Sequence, residues 1–179
     1  MDFSEIYERH VRDVHRFALY LSGNHALAED LTSETFVHAL CGRSDLRVGT
    51  VKAYLFAIVR NLYRDSQAHQ RRMVPSDELT ELADPVPGPD LSTQDRETFS
   101  NVLRAIQRLP EPQREALVLA ADQELSYEQI AVIIGCSVAA VKVRIHRARL
   151  KLKSELEKLE KLGKLGKLQN QKEEQAWKT

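Results

Sequence analysis

The chain of 179 residues lacks most of the features that would narrow its class by chemistry. Its two cysteines, Cys41 and Cys136, lie far apart and form no C-x-x-C pattern, which makes a disulfide framework unexpected and excludes a zinc ribbon. Charge of neither sign is in excess: 26 Lys+Arg balance 26 Asp+Glu, so a uniformly basic nucleic-acid coat is excluded and a segregated one is not. No unbroken apolar run, whether Ala53 to Val59 or Ala116 to Ala121, approaches the roughly 18 residues that a membrane span needs. No basic segment followed by an apolar core opens the chain, so nothing marks export; a cytoplasmic protein without membrane insertion is expected. The six histidines (His10, His15, His25, His38, His69 and His146) form no i, i+4 pair. With no Gly-rich phosphate loop, no Ser/His/Asp order and no metal-ligand spacing, the expectation is no catalytic residue, no cofactor and no metal.

What is present is apolar content of 42%, enough for a core, over a length of one domain or two small ones. All six prolines fall between Pro75 and Pro112. Proline removes an N–H and clashes with the preceding turn, so residues 1–74 and 113–179 are free to be helical and the middle is not. Strand-like alternation is absent, which points to an all-α fold.

The N-terminal block reads as three helices. The first runs from about Asp2 to Ser22, with Val14, Phe17, Ala18 and Leu21 on one face and Gly23 as its stop. A second runs from near Asn24 to Cys41-Gly42, with Leu27, Leu31 and Phe36 as its bulky apolar residues. After a polar loop, Arg43 to Thr50, a third extends from about Val51 to Arg72 with Val51, Tyr54, Leu55, Ile58, Val59 and Leu62 as its apolar stripe. Residues 74–97 then hold seven acids against one base, Arg96, around Pro85-Val-Pro-Gly-Pro89: an extended acidic linker of net charge −6. A second helical block begins near Asp95, carries Phe99, Val102, Leu103 and Ile106, and is interrupted and restarted at Leu109-Pro-Glu-Pro112. The architecture expected is two small helical domains, 1–73 and 98–153, joined by the 74–97 linker, with a C-terminal extension over 154–179.

The strongest local signal lies near the end. Ser126-Tyr-Glu-Gln129 is a capping box opening a short helix to Ile134. Gly135-Cys136 makes a tight turn, and Ser137 can cap a second helix from Val138. Two helices joined by a short Gly-containing turn are a helix-turn-helix. In the second helix Val141, Ile145 and Ala148 face the first, while Lys142, His146 and Arg149 lie away from it. Six bases and no acid fall between Val138 and Lys153, so charge is segregated after all. Small residues at its start, Ala139 and Ala140, allow close approach to a major groove; the cations supply phosphate contacts and base-edge donors. A basic solvated helix ending a bundle is the alternative, and His146 is equally a plain surface histidine.

Leu109-Pro-Glu-Pro-Gln-Arg-Glu-Ala-Leu-Val-Leu119, Leu125-Ser-Tyr-Glu-Gln-Ile-Ala131 and Ser137-Val-Ala-Ala-Val-Lys-Val-Arg-Ile-His-Arg-Ala-Arg-Leu150 resemble region 4 of a bacterial sigma-70 family sigma factor of the extracytoplasmic-function (ECF) type. Ala28-Glu-Asp-Leu31 with Glu34-Thr-Phe36 resembles region 2.2, and Tyr54-Leu-Phe-Ala-Ile-Val-Arg-Asn61 with Asp65 resembles regions 2.3 and 2.4. The resemblance covers about residues 2–153. It implies a protein that binds core RNA polymerase through the β′ clamp helices and β flap, recognises −35 and −10 promoter DNA, and is held by an anti-sigma factor. It places core-polymerase binding on Asp30, Leu31, Glu34 and Phe36, with Ser33 standing where the family has Gln. Core packing explains Leu31 and Phe36 equally well. It places −35 recognition on Ser137, Ala139, Ala140, Lys142, Val143, Arg144, His146 and Arg147, and −10 recognition on the third helix and the loop before it.

The third helix supports that last point by its own geometry. Opposite its apolar stripe lie Phe56, Arg60 and Tyr63, with Lys52 and Arg64 at the margins. Aromatics interleaved with cations suit single-stranded DNA, because bases stack while cations hold phosphates. Asn61 completes the candidate set. Phe56 and Tyr63 packing on a neighbouring helix is the competing reading, as is pairing of Asn61 with Asp65, one turn on. In the family's pattern Trp stands at Tyr54 and Arg at Ala57. A non-sigma regulator with a LuxR-like helix-turn-helix is the rival from another class; residues 28–36 and 52–65 discriminate, since a sensory domain has no need of them. After Leu156 a Lys-Leu-x repeat is broken by Gly163 and Gly166, so the last helix is expected to fray after about Leu162, with Trp177 either free or docked.

Overall fold

The computed structural model describes residues 2–42, 49–73, 93–122 and 124–176, with the side chains of Thr93 and of 162–176 excepted. The loop over 43–48, the linker over 74–92 and Trp177 lie outside the described residues. Seven helices and no strand occur among the described residues: α1 (Phe3–Ser22), α2 (His25–Cys41), α3 (Val51–Met73), α4 (Thr93–Gln107), α5 (Glu111–Ala121), α6 (Tyr127–Ile134) and α7 (Val138–Ala176).

Each boundary has a local cause. Asp2 and Glu5 form a reciprocal capping box that opens α1. Gly23 closes the helix in the left-handed region, φ 70°, donating its N–H to the Leu19 carbonyl at 2.8 Å. A Cβ at Gly23 would also sit 2.7 Å from the Gln107 side chain, so glycine is needed there for shape and for backbone. Asn24 then caps α2 by accepting the Leu27 N–H at 3.0 Å. Thr32 and Thr35 are buried inside α2, yet their hydroxyls donate to the carbonyls of Ala28 and Leu31, both at 2.6 Å. Pro112, in the first turn of α5, occupies a position where its missing N–H costs nothing.

One apolar cluster runs through both halves. In the first, Val14, Phe17, Ala18 and Leu21 of α1 meet Leu31 and Phe36 of α2 and Ala53, Leu55 and Val59 of α3. In the second, Leu103 and Ile106 of α4, Ala116 and Leu119 of α5, Ile130 and Ile134 of α6 and Val141 and Ile145 of α7 continue it. Helices α1 and α3 pack against α4, α5 and α6, bringing the halves into one body.

Two expectations are corrected. Helix α4 begins at Thr93, so the last five residues assigned to the linker are helical. Helix α7 does not fray near Leu162 but continues through Gly163 and Gly166 to Ala176. Each glycine costs about 1 kcal/mol, but a helix already nucleated only has to propagate, and Lys, Leu, Glu and Gln around them are good formers. Leu152, Leu156 and Leu159 are half-buried, and Glu155 is buried between Arg108 at 3.1 Å and Lys158 at 2.8 Å, so α7 is anchored beyond the turn motif.

Leu119 is fully buried in the part of the cluster that lies in the second half. Leu119→Ala should lower unfolding free energy by about 2–5 kcal/mol, read from urea denaturation followed by circular dichroism.

Candidate nucleic-acid interface

The turn motif is built from its caps. Ser126 Oγ accepts the Gln129 N–H at 3.2 Å while Gln129 Oε1 accepts the Ser126 N–H at 2.9 Å. Gly135 ends α6 at φ 73°, and Ser137 Oγ accepts the Ala140 N–H at 3.2 Å to open α7. The two helices meet at 94°, within the range of helix-turn-helix units. Val141, Ile145 and Ala148 are buried as expected. Ala139, Lys142, Val143, His146 and Arg147 form one exposed stripe with Ser137 at its head, while Ala140 and Arg144 are half-buried beside it. Lys142 Nζ lies 6.0 Å from the Tyr127 ring centroid, a cation–π contact that orients it along the stripe. This face can enter a groove: small at its start, cationic beyond, and free of acids up to Glu155.

On α2 the candidate set divides. Leu31 and Phe36 are 2% and 4% exposed, and Phe36 packs edge-on against Phe3 and Tyr7. They are core residues and offer no contact to a partner. Asp30 and Glu34 are exposed, and the same face carries Val37 and Leu40, 60% and 63% exposed, which sequence reasoning missed. The signal was available: Asp30, Glu34, Val37 and Cys41 follow at i, i+4, i+7 and i+11, a stripe separate from the one that meets α1.

The largest correction concerns α3. Lys52, Phe56, Arg60 and Tyr63 are 2–7% exposed and do not face solvent. Phe56 stacks on Phe17 with ring centroids 4.7 Å apart. Lys52 Nζ contacts Asp13 at 2.8 Å, Asp122 at 2.7 Å and Glu124 at 3.1 Å. Arg60 pairs with Glu115 through Nε at 3.1 Å and donates from its two terminal nitrogens to the carbonyls of Ile133 and Ile134, each at 3.1 Å. The second apolar-and-cationic face of α3 is real, but α5 and α6 cover it. Asn61 and Arg64 remain exposed. Helical periodicity reports that a face is distinct; it does not report what lies on it.

Three groups around this contact titrate away from their ordinary values. Burial alone would lower the Lys52 ammonium, but its hydrogen bonds to Asp122, Asp13 and Glu124 outweigh that and raise it. For Asp13, burial pushes the carboxyl up, and the Lys52 hydrogen bond and charge more than reverse this. His10 is held below 6.5 by burial and by the charges of Lys52 and Arg9, against the weaker pull of Asp13 and Glu124. No group of three or more His, Cys, Asp and Glu side chains suited to a metal ion occurs among the described residues.

Comparison with known proteins agrees with both halves. Residues 6–73 match the family Sigma-70 region 2, and residues 99–152 match Sigma-70, region 4. The chain is 39% identical over 147 residues to ECF RNA polymerase sigma factor EcfG of Rhodopseudomonas palustris (strain TIE-1), covering 79% of this chain and 78% of that one. It is 32% identical to ECF RNA polymerase sigma factor SigM of Bacillus subtilis (strain 168), covering 86% and 94%. Among solved structures it is similar to the sigma factor RpoE in complex with the anti-sigma factor NepR from Bartonella quintana, with a TM-score of 0.76, 30% identity, and 87% and 97% of the two chains covered.

The histidines give the body a pH dependence of defined sign. His25 is lowered by burial and by neighbouring His15, as His10 is by its surroundings. Below the unfolded value of 6.5, the unfolded chain binds more protons than the folded one, so this stability is complete above that pH and is lost as pH falls through it. The melting temperature should drop between about pH 7.5 and about pH 5.5, and the double change His10→Gln, His25→Gln should flatten that slope in differential scanning calorimetry.

Proposed function

The chain belongs to the ECF group of the sigma-70 family of RNA polymerase sigma factors, and from that premise we propose how its surfaces divide the work. A sigma factor binds core RNA polymerase and directs it to promoters. The first domain, residues 1–73, engages the polymerase and the −10 element; the second, residues 98–153, engages the −35 element. The linker between them spans the separation of the two elements, and residues 154–176 of the 154–179 extension lengthen the recognition helix. No residue of the chain acts as a catalyst; it is a specificity subunit working in the cytoplasm, where the DNA is. No single helix among the described residues is long and apolar enough to cross a membrane. The LuxR-like regulator reading falls away, because residues 6–73 match region 2 rather than a sensory domain.

The observation that carries this reading is the open stripe Ala139–Lys142–Val143–His146–Arg147 on a capped helix crossing its partner at 94°. That stripe enters the major groove of the −35 element, with Ser137 and backbone amides at the helix start on phosphates. On α2, Val37 and Leu40 form the apolar centre of the docking surface for the β′ clamp helices, and Asp30 and Glu34 form its charged rim. The β flap is met by the second domain. On α3, Asn61 and Arg64 are available to −10 DNA as they stand, whereas Lys52, Phe56, Arg60 and Tyr63 become available only when the second domain moves away. An anti-sigma factor is a partner by likeness to the RpoE relative, which was solved with one.

Run-off transcription with core polymerase on a genomic library, reading the start sites, tests the function directly: promoter-specific initiation supports it, and a chain that binds DNA tightly yet never associates with core polymerase overturns it. Val37→Asp with Leu40→Asp should weaken co-elution with core enzyme by at least about tenfold while leaving −35 duplex binding unchanged. Arg147→Ala should cost about 1–3 kcal/mol of −35 binding with relaxed specificity at one position if it reads a base, or a uniform loss and a shallower salt dependence if it holds a phosphate.

A further inference from the structure

At the centre of the exposed side of α7 stands a valine. Val141, Ile145 and Ala148, each no more than 2% exposed, turn the helix toward α5 and α6. Val143 is two positions from both Val141 and Ile145, so at about 100° per residue it points away from that buried stripe. It is 48% exposed and takes no part in the apolar cluster. Valine is also a poorer helix former than Ala, Leu, Lys or Arg. Neither packing nor propensity accounts for it.

Its neighbours leave it uncovered. Ala139, one turn earlier, has no side chain beyond Cβ, and Arg147, one turn later, is exposed on the same line. The Lys142 ammonium is drawn aside to the Tyr127 ring of α6, 6.0 Å from its centroid. Valine is stiff at χ1, so its two methyls are presented with little freedom left to lose. An apolar group in this place can neither donate nor accept. Against guanine, cytosine or adenine it strips water from a base-edge donor or acceptor and returns no hydrogen bond. The C5-methyl of thymine is the one apolar group that a base pair presents in the major groove.

Resting on the sigma-factor reading above, we propose that Val143 is a specificity-determining residue of the −35 site: its methyls pack on the C5-methyl of a thymine, and the element is read at that base pair by an apolar contact. One side chain reaches one base step, about 3.4 Å, so the dependence is confined to a single thymine or to two adjacent ones. Polar readout by Arg147 or His146 is a separate matter. Deoxyuridine keeps the O4 acceptor of thymine and lacks only the methyl, so a donor on either side chain does not distinguish the two bases. The valine does.

The test uses core polymerase reconstituted with the chain, and a fluorescein-labelled fragment of a promoter mapped by run-off transcription. Each thymine of the −35 element, on either strand, is replaced in turn by deoxyuridine, and affinity is read by anisotropy at fixed salt. One position, or two adjacent ones, should lose about threefold to tenfold, as expected when one or two methyl groups are no longer buried. With Val143→Ala in the chain, thymine and deoxyuridine at that position should bind alike. Val143 lies outside the apolar cluster, so Val143→Ala should fold as the unaltered chain does, which circular dichroism checks. A −35 element without a methyl-sensitive thymine overturns the proposal, and so does a sensitivity that persists in Val143→Ala. Initiation from the same promoter by the unaltered preparation reports on the sigma-factor reading separately. Methyl-blind binding with initiation intact therefore counts against the valine contact alone.

Discussion

A guanidinium does not shed its proton in a protein, so a buried arginine must be met by acceptors, and Arg60 is 7% exposed. Its acceptors fix much of the rest. Glu115 belongs to α5, and the carbonyls of Ile133 and Ile134 are at the last turn of α6, immediately before the left-handed Gly135. One side chain of α3 therefore sets the position of the helix that carries the turn motif. Lys52, eight residues earlier and about 12 Å along the same helix, repeats the arrangement with the turn that joins α5 to α6. Two fixed points along one axis determine how the halves sit.

Ion pairs of this sort specify geometry more than they stabilise it. The apolar cluster gives the body its cohesion, and the ion pairs give its halves a defined relation. A promoter-binding subunit needs two rigid reading heads, and it also needs freedom between them, because the elements they read are separate on DNA. The fold meets the first need with Leu119, Ile130 and Val141 on one side and Val14, Leu21 and Leu55 on the other. Where they touch, the ion pairs of Lys52 and Arg60 accompany the Tyr20–Phe99 ring contact, with centroids 6.3 Å apart.

Much of this was legible from residues alone. Capping residues announced α6 and α7, because Ser126 and Ser137 satisfy orphan amides by chemistry that is local in sequence; Asp2 and Asn24 cap α1 and α2 in the same way. The open face of α7 was legible because acids are missing from it. On α3 the second face was visible as a pattern, yet its partner was not, since pairing residue 60 with residue 115 depends on tertiary packing that no local spacing encodes. Leu31 and Phe36 looked like partner contacts through resemblance, and burial assigns them to the core; Val37 and Leu40, which carry the exposed apolar surface, were passed over although Val37 lies on the stripe that Asp30 and Glu34 begin. The length of α7 was underestimated by treating two glycines as a stop when no proline or cap follows them.

The two sides of this contact are not equivalent. A replacement of Lys52 loses Asp13, Asp122 and Glu124 together, and a replacement of Arg60 loses Glu115 and two α6 carbonyls together. A replacement of Glu115 or Glu124 removes one of those contacts and leaves the others in place. The relation between the halves is thus held by few residues on α3 and adjustable by several on the α5–α6 side.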